Sequence, residues 1–216
     1  MDNLDRYAQY FDTAYRDYAD ARYTGIVRLV SSYDAEGILN IIDGQQFGEC
    51  IKLLQPLIAI KNYKSQVPFP ENLREVLRLI INIRQTEVGS SDVFSNHDKY
   101  FKQLVSLQGF QLPTASAVFH FCHPKSFPIV DVNVKEACAH LKDLNQKEFA
   151  NLEAPGLPAS NTSSDNKLKK YKEFEGFIKR VMSLQKEQHG GKPTYRYIDK
   201  ALMVLGVPEL RKKAVF

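Results

Sequence analysis

LQGFQLPTASAVFHFCHPKSFPIVDVNVKEA, residues 107–137, is the stretch on which the fold turns. Just before it, Tyr100, Phe101, Leu104, Val105 and Leu107 recur at helical spacing from His97 onward, and Gly109 stops the run. Helical spacing resumes from Pro113, whose missing N–H suits a first helical turn. An interruption of about five residues forces the two helices to fold back on each other. A loop through Pro128 follows, after which Asp131 and Asn133 can both cap a helix reaching about Leu144. FPIVDVNV imitates an alternating strand, but no segment of the chain alternates convincingly.

Working outward, Leu4, Tyr7, Phe11, Ala14, Tyr15 and Tyr18 predict an amphipathic helix from Asn3 to about Arg22, with the tyrosines up to Tyr23 on its core face. An aromatic row of this kind could also stack bases. Gly25–Val30 comes next, then a segment from Asp34, a candidate N-cap, to Ile42. Phe47 to about Ile60 reads as helix divided by Pro56. VPFPEN, 67–72, reads as a loop ahead of a helix whose face is Leu73, Val76, Leu77, Ile80 and Ile81, and Gly89–Asn96 reads as a break. On the far side, EAPGLPASNTSSDN, 153–166, is expected to be a mobile excursion. Helices are expected at 167–188 and 194–206, parted by GGKP, with a basic RKK piece at 211–213.

Residues 107–137 resemble the helix-hairpin-helix and aspartate loop of the DNA glycosylase superfamily, nearest in motif to the adenine-specific mismatch glycosylases. Leu107, Gly109 and Phe110 match the hairpin, Thr114, Ala115 and Ala117 the small-residue helix, and Pro128, Ile129, Val130, Asp131, Asn133 and Val134 the loop. The resemblance implies an all-α fold of about ten helices in two lobes around a groove, within a single domain over 1–216. The hairpin and loop occupy 97–135. It further implies a DNA partner held at the phosphate backbone by Gly109, Phe110, Gln111, Pro113 and Thr114, with Lys125 and Lys135 flanking the strand. Asp131 would assist hydrolysis of the N-glycosidic bond of a flipped base.

Physical chemistry suits that order of pieces, because a tight turn at Gly109 lets the N-terminus of the second helix face outward, where unpaired N–H groups and the helix dipole favour a phosphate. Gln111 stands where the family has its second hairpin glycine. Pro113 stands where lyase-competent members carry a lysine, and proline forms no Schiff base, so the implied activity is monofunctional. The alternative is a non-catalytic module on the same scaffold that binds nucleic acid or protein, with Asp131 serving only as a helix cap. A base-sized pocket beside Asp131 separates the two.

Other clusters are weaker. His120, Cys122, His123, Cys138 and His140 invite a metal site, but zinc motifs show tighter paired spacing, and no metal or cofactor is expected. Cys122 among Val118, Phe119 and Phe121 reads as a buried, inert thiol. KLKKYK, 167–172, with Tyr171 interleaved, could touch phosphates or form a solvated helix face. Three cysteines cannot supply the four thiolates of an iron–sulfur cluster and fit a reducing, cytoplasmic setting. No window approaches the roughly 20 apolar residues of a membrane span. A hydrophobic share of 44% against 25% charged residues excludes the disordered classes, and a net charge of +4 leans modestly toward anionic partners.

Overall fold

Leu4–Tyr15 (α1) buries Leu4, Tyr7, Ala8 and Phe11 along one stripe, and the same face continues in Ala21–Ser31 (α2) through Ile26 and Val30. Between them Arg16–Asp20 forms a π-helical turn. Tyr7 and Ile26, like Phe11 and Val30, lie nineteen positions apart, about a quarter turn out of phase in uninterrupted α-helix. Absorbing one residue in the wider turn restores the phase. The expected helix to Arg22 is thus one arm of a longer rod. Of its tyrosines, Tyr7 is buried, while Tyr10, Tyr15 and Tyr23 pack half-buried against the core.

The computed structural model describes residues 4–44, 48–49, 52–54, 70–88, 93–144, 149, 151–189 and 193–214. No strand occurs among them, in accord with the expected all-α class. Most of the expected helix Phe47–Ile60, with Pro56, lies outside the described residues. The remaining helices are Ala35–Asp43 (α3), Pro70–Gln85 (α4), Val93–Ser106 (α5), Leu112–Cys122 (α6), Val132–His140 (α7), Ser164–His189 (α8), Tyr195–Gly206 (α9) and Pro208–Ala214 (α10).

Boundaries follow local chemistry. Asp34 caps α3 by accepting from Glu36 and Gly37 N–H, as its position suggested. Pro70–Asn72, expected in a loop, form the first turn of α4, a place where proline loses nothing. Val93–Asn96 belong to α5 instead of a break, since neither Val93 nor Phe94 favours a turn. The helix expected to reach Leu144 tightens at Leu141–Asp143 into a 3₁₀ turn. Ser164–Asn166, expected in the loop, open α8, with the Ser163 hydroxyl accepting from Asn166 N–H at 3.2 Å.

α6 is the centre of the molecule. Leu112 and every residue from Thr114 to Phe121 are buried, the pattern of a helix apolar on all sides. α2, α4, α5 and α8 pack around it. α4 is itself buried more broadly than its expected stripe, since Leu79 and Ile83 join Leu73, Val76, Leu77, Ile80 and Ile81 in the core. At the other side α9 lies between α1 and α7, so the two ends of the chain pack together. Arg196 and Lys200 of α9 reach Asp20 at 2.9 and 3.2 Å, and Lys200 reaches Asp12 at 2.7 Å.

Candidate nucleic-acid interface and aspartate loop

α5 and α6 are joined by residues 107–111. Gly109 adopts φ 85°, the left-handed region that a side chain strains, and Phe110 N–H bonds back to Leu107 carbonyl at 3.0 Å. Phe110 is buried and anchors the turn with its N–H already engaged, and Thr114 is buried too, so neither presents its side chain to a strand. Gln111 and Pro113 are half-buried at the helix start, and Pro113 occupies the first turn. No side chain caps α6, whereas Asp34, Asp131 and Thr194 cap α3, α7 and α9. The first turn of α6 therefore keeps its N–H groups clear of a competing side-chain acceptor. Asn72 from α4 ties down the turn by donating to Gln108 carbonyl at 3.0 Å.

The segment from α6 to α7 is a loop whose end is buried: Phe127, Pro128, Ile129 and Val130 are all covered. A buried loop must find partners for its peptide groups, and here side chains supply them. His120 Nδ1 lies 2.7 Å from Phe127 carbonyl; a carbonyl only accepts, so Nδ1–H donates, and the ring's Nε2 is hydrogen-bonded to the Tyr23 hydroxyl at 2.6 Å. Tyr171 O–H donates to Pro128 carbonyl at 3.3 Å. Ser116 Oγ accepts from Val130 N–H at 3.0 Å and sits 3.1 Å from Val130 carbonyl and 2.9 Å from Pro113 carbonyl. One hydroxyl thus joins the first turn of α6 to the residue before Asp131.

Asp131 is half-buried at the head of α7 and accepts from Val134 N–H at 2.9 Å. Asn133, the other cap candidate, lies within the first turn. There α9 crosses α7 so closely that a Cβ at Gly206 would stand 2.0 Å from Asn133 carbonyl oxygen. Lys125 is exposed; Lys135 pairs with Glu136 at 2.7 Å. The sequence foresaw the turn, the bare helix start and the cap. It missed the loop-holding roles of Ser116, His120 and Tyr171 and the close crossing at Gly206, all of which meet backbone groups distant in sequence, and it missed Tyr23, which bonds the His120 side chain.

The histidines and thiols have structural work. His123 Nε2 lies 2.7 Å from Ile83 carbonyl, and with His120 bonded at both nitrogens neither imidazole is arranged as a ligand pair. Burial pushes the Cys122 and Cys138 thiols up to about 12, far from thiolate chemistry. KLKKYK is neither of its two expected readings in full. Lys167 and Tyr171 are buried, Lys170 pairs with Glu173, and Lys172 with Asp98. Tyr171 stacks on Phe101, not on solvent.

An aromatic cavity of about 120 Å³ lies among α5, α8 and the loop, lined chiefly by His97, Phe101, Phe119, Phe127 and Tyr171. It touches the loop at Phe127 and does not have Asp131 on its wall. Comparison with protein families, with curated proteins and with solved structures gives no match for this chain.

Proposed function

We propose that this chain grips a DNA strand at residues 107–114 and hydrolyses the N-glycosidic bond of a flipped base with Asp131, as a monofunctional glycosylase of the helix-hairpin-helix type. The observation that carries this reading is the Ser116 hydroxyl, which fixes the uncapped start of α6 beside the residue preceding Asp131. A phosphate bound by the first-turn N–H groups would hold the strand across a carboxylate whose approach is already rigid. The carboxylate stabilises the cationic sugar as the base leaves, or orients the attacking water. Exposed Lys125 adds a backbone contact without sequence information. Pro113 at the helix start leaves no amine there for strand cleavage.

A second reading, a binding module without chemistry, is favoured by two facts: Asp131 already caps α7, and the aromatic cavity lies elsewhere along the loop. Base release from duplexes carrying alkylated, deaminated, oxidised or mismatched bases decides between them, with wild type beside Asp131→Asn and abasic-strand cleavage scored separately. Asparagine caps as well as aspartate, so the variant stays folded while losing the charge. Release that drops at least about 100-fold in the variant, without strand cleavage, supports the enzyme. Salt-sensitive DNA binding with no release from any duplex supports the module.

A further inference from the structure

We propose that the cavity between α5, α8 and the aspartate loop binds a small neutral molecule with one aromatic ring and a hydrogen-bond donor on its edge, the class of phenols and anilines. This goes beyond the DNA reading and does not depend on it, because Asp131 is not on the cavity wall.

Protein interiors are close-packed, and a void in them collapses unless its walls are fixed. Here they are. Phe101 and Tyr171 stack at 4.6 Å with an 18° tilt, Phe119 and Phe127 meet edge to face at 5.2 Å, and Tyr171 is further held through its hydroxyl on Pro128. All four rings are buried. The volume of about 120 Å³ approaches the roughly 150 Å³ at which an apolar cavity takes up benzene, and the open mouth lets a substituent project. Two fused rings exceed it.

The polar groups select the edge. Glu175 is on the wall with its side chain 9% exposed, its carboxylate 2.6 Å from Lys179 Nζ. One ion-pair contact leaves a carboxylate with acceptor capacity, so Glu175 can take an O–H or N–H from the ring. Lys172 and Asp98 form a second pair on the same wall. With both carboxylates matched by an ammonium, the mouth carries no excess charge, which favours a neutral ring over an organic cation or an anion. Aromatic walls favour an aromatic guest through edge-to-face contact over an aliphatic one of equal size.

The test titrates the full chain with phenol while following backbone amide NMR shifts. Saturable shifts at Phe127, Leu168 and Lys172 are expected, with Kd of about 0.1–1 mM. Cyclohexanol, which keeps the hydroxyl without the aromatic face, should bind at least about 5-fold more weakly. Glu175→Gln should weaken phenol about 5-fold or more and leave anisole, which has no donor, unchanged. Leu168→Phe, which fills the cavity from α8, should abolish the shifts in a folded chain. Should that variant not fold, the Glu175→Gln and cyclohexanol comparisons decide alone. No saturable shift at these residues, equal binding of cyclohexanol or tetramethylammonium, or indifference to Glu175→Gln overturns the proposal.

Discussion

Asp131 accepts from Val134 N–H at 2.9 Å with extended backbone at φ −145° and ψ −171°, the geometry of an N-cap. That bond has its own free energy, separable from any chemistry. Asp131→Ala should lose about 1 kcal/mol of stability while Asp131→Asn stays within a few tenths of wild type, read from urea unfolding midpoints. Equal midpoints for alanine and wild type would show that the cap is worth nothing here. Why was this residue legible, and Ser116 not? A cap is a local rule, an aspartate just ahead of helical spacing, with its acceptor and donor within one turn. Ser116 meets Val130 and His120 meets Phe127 carbonyl across a loop, and Tyr171 reaches Pro128 from 43 residues away. A backbone carbonyl has no letter in the sequence, so nothing marks such a pair in advance.

At the scale of elements, the position of the aspartate loop rests on how closely two helices approach. Gly206 lets α9 pass Asn133 at a distance where a Cβ would overlap the carbonyl oxygen. Gly206→Ala must push α7 away and should cost about 1–3 kcal/mol, with amide shifts spreading through Asp131–Val134. Gly176 on α8 meets nothing within 4 Å, and Gly176→Ala should stabilise by about 0.5–1 kcal/mol through helix propensity. Thermal unfolding of both variants checks the pair; a neutral Gly206→Ala would mean that the crossing is loose. Periodicity showed most of these helices in the sequence, because each buries a stripe. It could not show the π turn at Arg16–Asp20, which registers only as a slip of phase between Tyr7 and Ile26 and between Phe11 and Val30. Nor could it show that Lys167 and Tyr171 lie inward within a basic run, since charge count and helical face point opposite ways there. The cavity, assembled from residues between Val88 and Lys179, has no local trace at all.

Across the whole molecule, the two ends of the chain are clamped together, and the clamp touches the loop. Arg196 pairs with Asp20 at 2.9 Å and Asp199 at 2.5 Å, and its guanidinium lies 3.9 Å from the Tyr23 ring centroid. Tyr23 in turn bonds His120, which holds Phe127 carbonyl. Burial tends to raise the Asp20 pKa, but hydrogen bonds from Arg196 and Lys200 outweigh it and hold the carboxyl below its usual value. A carboxylate depressed in the folded state contributes stability that is complete above its unfolded pKa, near 3.8, and is lost as pH falls through the folded value. Arg196→Met keeps the apolar stem against Phe11 and Tyr23 and removes the charge. At pH 7 it should be less stable by about 1–2 kcal/mol, from the lost pairs and the lost cation–π contact. The gap to wild type should narrow on acidification below pH 4, because protonated Asp20 no longer gains from the guanidinium. Urea midpoints of both proteins from pH 6 to 2.5 measure this, and a gap that stays constant over that range would place the strength of the clamp in packing. Because Tyr23 bridges the clamp to His120, the amide shift of Phe127 should move with the same variant; an unmoved Phe127 would show that the loop is held independently of the chain ends.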